Sequence, residues 1–443
     1  MKSKSGLVLL IAAAACGVLS AQEYEGPTVL SRSGGGIRAY GSRVGEEAKM
    51  RVFLNAGAIY DYGFLPISTG AGGLVSKVGG QFGYEGRMGI YGTKRWRRAS
   101  LGLDYTGTYR GYTKNTSYNG SDHFLGLEFG DQLSRRTMLN GSLTAGTSNR
   151  VFGFSGALIG SPLGNLLPTT DIFDARTYFL NGGMGLSHQV NSRLGIELRG
   201  EGFRVERHSG SLVSVEGYSP KASVSYRLNR RNTVGTIYNF YHYDYTRQFG
   251  ESNVHVAMAY WGYEINRLWR FETQGGVFLA DTAGTRTVPA DPIVRQLLGV
   301  QNVSEAFSRV VTLPNAQVRL TGKTGNSTFS LAAYRGVGAG NGVTLASSET
   351  SGSLTYLYIV SKNGTASFRG SYTGAAGLSS TADRYTTVSS GFSLDYTPPN
   401  FISYSFNGQY RHSISKIATS FTHDTFQVGL SAGWNLRDIP FFR

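Results

Sequence analysis

Long apolar runs are missing from this chain. Beyond the first 21 residues no segment approaches the ~20 consecutive apolar residues that a membrane-spanning helix needs, so helical membrane crossing is excluded. Cysteine is nearly missing as well. The single Cys16 falls within an N-terminal stretch that reads as an export signal, and cleavage after Ala21 would leave neither a disulfide scaffold nor a cysteine-ligated metal site. Proline is scarce at 11 residues and charged residues make up only 16%, against 61 Gly, 27 Tyr and 24 Phe. That balance describes a β protein rich in aromatics. Basic runs are lacking too. The formal charge is +15, or +13 once Lys2 and Lys4 are removed with the signal, but the cations are scattered, which argues against nucleic acid as a partner. Many sit in short turns: Lys94, Arg95, Arg97 and Arg98, then Arg135 and Arg136, Arg193, Arg230 and Arg231, Arg267, and Lys362.

The signal assignment, residues 1–21, rests on Lys2 and Lys4, the apolar run Leu7 to Ala15, and Leu19-Ser20-Ala21 before Gln22. A lipoprotein reading through Cys16 is disfavoured because Ala13 occupies the position where the lipid-attachment motif carries Leu. Residues 22–50 are polar and Gly-rich, as in Ser33-Gly34-Gly35-Gly36. They are expected to form a periplasmic extension or a short plug.

From residue 51 onward the pattern is alternation. Between Gly352 and Thr373, Leu354, Tyr356, Tyr358 and Val360 alternate with Ser353, Thr355 and Ser361. After Lys362-Asn363-Gly364 the alternation resumes with Ala366, Phe368, Gly370 and Tyr372 against Ser367, Arg369 and Ser371. Period-two alternation places one apolar and one polar face on each strand, and Asn363-Gly364 suits a type I′ hairpin turn. The unit recurs. Tight reversals are expected near Ser134-Arg135, Asn191-Ser192, Asn229-Arg230-Arg231, Asn266-Arg267, Thr324-Gly325 and Pro398-Pro399, with longer connections at 149–175 and 281–308. Within the latter, Asp291, Pro292 and the stripe Ile293, Val294, Leu297, Leu298 ending at Gly299 give the one helical signal.

The count is eighteen strands in nine hairpins, with sixteen and twenty as neighbouring possibilities. A sheet that large leaves aggregation-prone edges unless it closes, and lipid demands the same closure because an unpaired backbone group there costs several kcal/mol. The expected fold is therefore all-β, a transmembrane antiparallel β-barrel over residues 51–443. Its slightly negative mean hydropathy is consistent with lipid-facing residues alternating with lumen-facing ones. Tyr105, Tyr226, Trp269, Tyr396 and Trp434 near strand ends suit interfacial girdles.

The export signal, the hairpin series and the aromatic-rich last strand from Gln427-Val428-Gly429 through Trp434 resemble Gram-negative outer-membrane β-barrels, porins included. The chain departs from a terminal Phe, continuing through Pro440-Phe441-Phe442 to Arg443. The resemblance implies outer-membrane lipid, lipopolysaccharide and the barrel assembly machinery as partners, and leaves a homotrimer open. It implies passive passage of small polar or anionic solutes, with no cofactor and no catalysis.

Eighteen strands would enclose an aqueous lumen. The charged residues opposing apolar ones along the strands are Glu85, Arg87, Asp104, Arg110, Glu128, Glu197, Arg199, Glu201, Arg270, Glu272, Arg319, Arg369 and Arg411. They either pair across strands to solvate the wall or form a charged eyelet for anions or polar solutes. In porins the third long loop commonly folds inward, and by that resemblance Asp171 and Asp174 would face wall arginines. Three other classes compete with this reading. A TonB-dependent transporter needs a plug larger than 29 residues. A hydrolase needs a coupled Ser, His and orienting group, whereas His208-Ser209, His412-Ser413 and the His242 and Asp244 pair are merely near in sequence. A non-conducting or gated adhesin or surface-structural barrel is the serious rival, marked by a lumen blocked with side chains and loops. Gly338-Ala339-Gly340-Asn341-Gly342 is no phosphate loop, since no Lys follows it.

Overall fold

A computed structural model describes residues 51–63, 79–114, 118–148, 175–209, 212–246, 250–289, 296, 299, 302–340, 345–378, 384–398, 402–416 and 421–436. Eighteen strands follow one another: β1 (Arg51–Tyr62), β2 (Gln81–Arg95), β3 (Ala99–Tyr112), β4 (Gly120–Asp131), β5 (Thr137–Ser148) and β6 (Thr177–Gln189). Next come β7 (Leu194–Arg207), β8 (Ser214–Arg227), β9 (Asn232–Thr246), β10 (Gly250–Glu264), β11 (Trp269–Pro289) and β12 (Asn302–Thr324). The last are β13 (Ser327–Gly338), β14 (Ser347–Ser361), β15 (Gly364–Gly377), β16 (Arg384–Tyr396), β17 (Ile402–Ser415) and β18 (Phe421–Leu436). Each pairs antiparallel with its sequence neighbours, and β1 pairs with both β2 and β18. The closing seam runs in register from Val52 opposite Leu436 to Tyr62 opposite Phe426. Closure leaves no unpaired edge, which is what lets so large a sheet exist without a partner.

The alternation decides which side each residue takes. On β2, Phe82, Tyr84 and Met88 stand outward, 67%, 56% and 55% exposed, while Gln81 and Glu85 turn inward, where Glu85 meets Arg110 of β3. The outward belt continues through Leu54, Met184, Leu198, Leu394 and Leu430. An apolar belt of this extent is unstable in water and requires lipid. No helix among the described residues is long and apolar enough to cross a membrane.

Two expectations need correction. The connection at 281–308 is shorter than its composition suggests. Strand β11 continues to Pro289 and β12 begins at Asn302, because Asp281 to Pro289 pairs residue by residue with Val310 to Asn302, and the β-branched Thr282, Thr285 and Thr287 suit the extended backbone. The helical signal at 292–298 lies outside the described residues except for Gln296. The second concerns the hairpin of β14 and β15. Gly364 already pairs with Ser361, and the ladder shifts between Ile359 and Ser361, so the loop is Lys362-Asn363 rather than Asn363-Gly364. Among the described glycines only Gly63, Gly299, Gly325 and Gly340 have positive φ, so the type I′ geometry expected at Asn363-Gly364 is not formed. Gly325, at φ +50°, takes the left-handed position in the turn between β12 and β13.

Candidate functional site

Directly opposed residues on neighbouring strands share a face, so the register places all thirteen charged residues singled out in the sequence on the inner wall. They do not converge on one ring. Glu85, Arg87, Asp104, Arg110 and Arg369 line a single cavity of about 340 Å³. Glu128 follows Asp104 toward the tight-turn end, opposite Gly102. Glu197, Arg199 and Glu201 form a separate row on β7, and Arg270, Glu272 and Arg319 a third group on β11 and β12, with Glu272 directly opposite Arg319. Arg411 lies on β17 and donates to the Tyr385 hydroxyl. Asp171 and Asp174 lie outside the described residues.

Charge in the cavity is unevenly compensated. Arg110 donates through Nε to Glu85 Oε2 at 2.6 Å and through Nη1 to Asp122 Oδ2 at 2.7 Å. Arg87 adds a third contact to the same network, 3.1 Å from Glu85 Oε1. A guanidinium held by two carboxylates is rigid and largely neutralised. By contrast, Arg369 and Asp104 have no ion-pair partner among the described residues, and Arg369 Nε is buried without a hydrogen-bond acceptor. The cavity therefore presents one uncompensated cation and one uncompensated anion.

The remaining wall is neutral. Ser393, Ser405, Asn407, Gln409, Gln427 and Ser431 come from β16, β17 and β18 and line the same cavity. The hydroxyls partner across strands, as in Ser367 with Ser393 at 2.8 Å. Such a surface can exchange hydrogen bonds with a hydrated solute without binding it tightly. Sequence reasoning about charges passed over this wall, and over Asp122. The inward parity of β4 would have disclosed Asp122, and the serine alternation on β15 to β17 was visible.

A larger omission lies at the end bearing the longer connections. There the inward residues of β6 to β11 are largely apolar, although Thr177, Asn181, Arg207, Ser252 and Thr282 are inward and buried as well. Phe179, Phe203, Val205, Val215, Tyr243, Tyr245, Val254, Val256, Phe278 and Ala280 form one buried cluster, joined by Val213, Val337, Leu345, Ala346 and Leu378. Val205, Val254 and Phe278 are wholly inaccessible. Leu378 N donates to Ala346 O at 3.0 Å, and Arg309 Nη1 on β12 donates to Leu378 O at 3.0 Å. Ala346 and Leu378, at the loop ends of β14 and β15, are thus tied to each other and to β12. The sequence signal was present: one face of β9 carries Tyr241, Tyr243 and Tyr245 in alternation, where the other strands carry polar inward residues.

No family model matches the chain, and no curated protein matches it. Solved structures do. OpdQ of Pseudomonas aeruginosa is 12% identical, with 88% of this chain and 97% of that one covered and a TM-score of 0.40. A BenF-like porin from Pseudomonas fluorescens is 12% identical, covering 87% and 99% with a TM-score of 0.40. OccAB4 of Acinetobacter baumannii is 10% identical, covering 88% and 99% with a TM-score of 0.41. The architecture rests on strand order and closure, which bear out the likeness to outer-membrane β-barrels read from the sequence.

Proposed function

We propose that the chain is a porin-like channel of the bacterial outer membrane, passing small polar or anionic solutes by passive diffusion. The observation that carries this reading is the inward polar cavity bearing Arg369, whose Nε has no acceptor. An unneutralised guanidinium in a wet lumen attracts anions and offers them a fork of donors. The hydroxyl and amide wall beside it solvates what passes. Arg87 and Arg110 contribute less, since Glu85 and Asp122 already occupy them. The other inward charges act as wall solvation, and Asp171 with Asp174 remain candidates for a constricting loop.

A second reading, a gated or non-conducting surface barrel, is favoured by the apolar cluster filling part of the lumen at the loop end. Single-channel conductance in a planar bilayer under a salt gradient separates the two. Stepwise currents with anion preference are expected of the channel. A folded barrel that stays silent, with and without residues 22–49, would overturn it in favour of the rival.

A further inference from the structure

Four consecutive tight turns are built to one template. Between β4 and β5, β6 and β7, β8 and β9, and β10 and β11, an exposed aliphatic residue (Leu133, Val190, Leu228, Ile265) precedes a Ser or Asn. Arginine follows within two residues, as Arg135 and Arg136, Arg193, Arg230 and Arg231, and Arg267, all exposed. The Ser or Asn oxygen fixes each loop. Ser134 Oγ accepts from the N–H of Arg136 and Thr137 at 3.1 and 3.0 Å. Asn191 Oδ1 accepts from Arg193 and Leu194 at 2.8 and 2.9 Å. Asn229 does the same with Arg231 and Asn232 at 2.8 and 2.9 Å, and Asn266 with Leu268 and Trp269 at 2.8 and 2.9 Å. These side-chain caps hold the short turns in one conformation.

The turns are also joined to one another. Gln189 N donates to Arg136 O, Arg227 N to Arg193 O, and Glu264 N to Arg231 O, each at 2.8 Å. Arg136 Nη1 additionally reaches Val190 O at 3.2 Å. The result is a continuous arc along one side of the tight-turn end, with six arginines against the nearby carboxylates Asp131 and Glu264. The arc borders the outward belt where Phe129, Tyr226 and Trp261 are exposed. Out of the belt come first these aromatic residues, then the exposed aliphatic residue of each turn, and last the guanidinium groups. The arginines thus stand outermost, beyond the interfacial aromatics, where a bilayer carries its phosphates.

We propose that this arc binds the phosphate headgroups of anionic phospholipid in the leaflet at the tight-turn end. Guanidinium groups take phosphate in a planar fork that a lysine cannot reproduce. A cationic rim so close to the belt meets lipid before it meets any soluble anion.

The test uses the full-length barrel reconstituted in mixed phosphatidylglycerol and phosphatidylcholine vesicles, released in mild detergent, with retained lipid counted by native mass spectrometry. The combined variant Arg135→Gln, Arg136→Gln, Arg193→Gln, Arg230→Gln, Arg231→Gln and Arg267→Gln should lose phosphatidylglycerol by about tenfold or more. A control carrying Arg204→Gln, Arg335→Gln and Arg384→Gln at the loop end should keep it. If the combined variant does not fold, the pairs Arg135→Gln with Arg136→Gln and Arg230→Gln with Arg231→Gln are measured, each expected to lose part of the bound lipid. Undiminished retention in the variants overturns the proposal. So does equal retention of phosphatidylcholine, equal loss in the loop-end control, or full displacement by inorganic phosphate, which would identify a site for free anion.

Discussion

Arg369→Gln should weaken anion preference without disturbing the barrel. The side chain has no ion-pair partner to orphan, so the substitution removes one charge and leaves the Arg110 network whole. A monovalent ion passing at about 7 Å through water gains roughly 0.6 kcal/mol from a unit charge, close to RT, or about a two- to threefold enrichment. The same charge repels a cation equally, so the anion-to-cation permeability ratio, read from reversal potentials near 0.1 M salt, should fall by up to about the square of that factor, less the part that salt screens. At 1 M salt, where the Debye length shrinks to about 3 Å, the difference should largely vanish. Asp104 supplies an internal check, being the uncompensated anion of the same cavity. Asp104→Asn should raise anion preference by a similar factor, and the double variant should return near the parent. Unchanged selectivity in both single variants, or shifts in the same direction, would refute the assignment of this cavity to the conduction path.

Arg110→Gln leaves Glu85 and Asp122 facing each other inside the wall, and a cost of about 3 kcal/mol is expected in urea unfolding followed by tryptophan fluorescence. Phe278→Ala opens the loop-end cluster and should cost about 3 to 5 kcal/mol in the same assay; if the cluster narrows the lumen, unitary conductance rises as well. At Gly276→Ala the new Cβ would stand 1.9 Å from Ala257 O, a backbone atom of the paired strand. Folded yield, scored by resistance to unfolding in detergent at room temperature, should drop sharply for that variant and not for Gly275→Ala, which meets nothing within 4 Å.

Much of the barrel was legible because each strand declares itself locally. Alternation at Leu354, Tyr356 and Tyr358 sets the outward face whatever the strand later pairs with, and Asn229 or Asn266 before arginine marks a reversal by its own side-chain bonds. The strand number followed from such signals. Errors fell where two local signals competed. Thr282 to Thr287 reads equally as loop or strand, and only pairing with β12 made it strand. At Lys362-Asn363-Gly364 the dipeptide favoured one loop, and the register of β14 on β15 imposed another, one residue earlier.

The candidate site was half legible. That Glu85, Arg87 and Arg369 face inward is a matter of parity, which the sequence carries in full. That Arg369 shares a cavity with Asp104 and Glu85, although they lie far apart in the chain, depends on β1 joining β18 and so bringing the last strands beside the first. Which arginines remain uncompensated likewise depends on cross-strand neighbours, since Asp122 reaches Arg110 only through the register of β3 on β4. Local alternation, turn chemistry and the apolar belt were thus determined by sequence alone, because each is a short-range property of the strand. The grouping of five of these charges into one cavity and the apolar cluster at the loop end were decided by closure, because both arise from residues that only the completed barrel brings within contact distance.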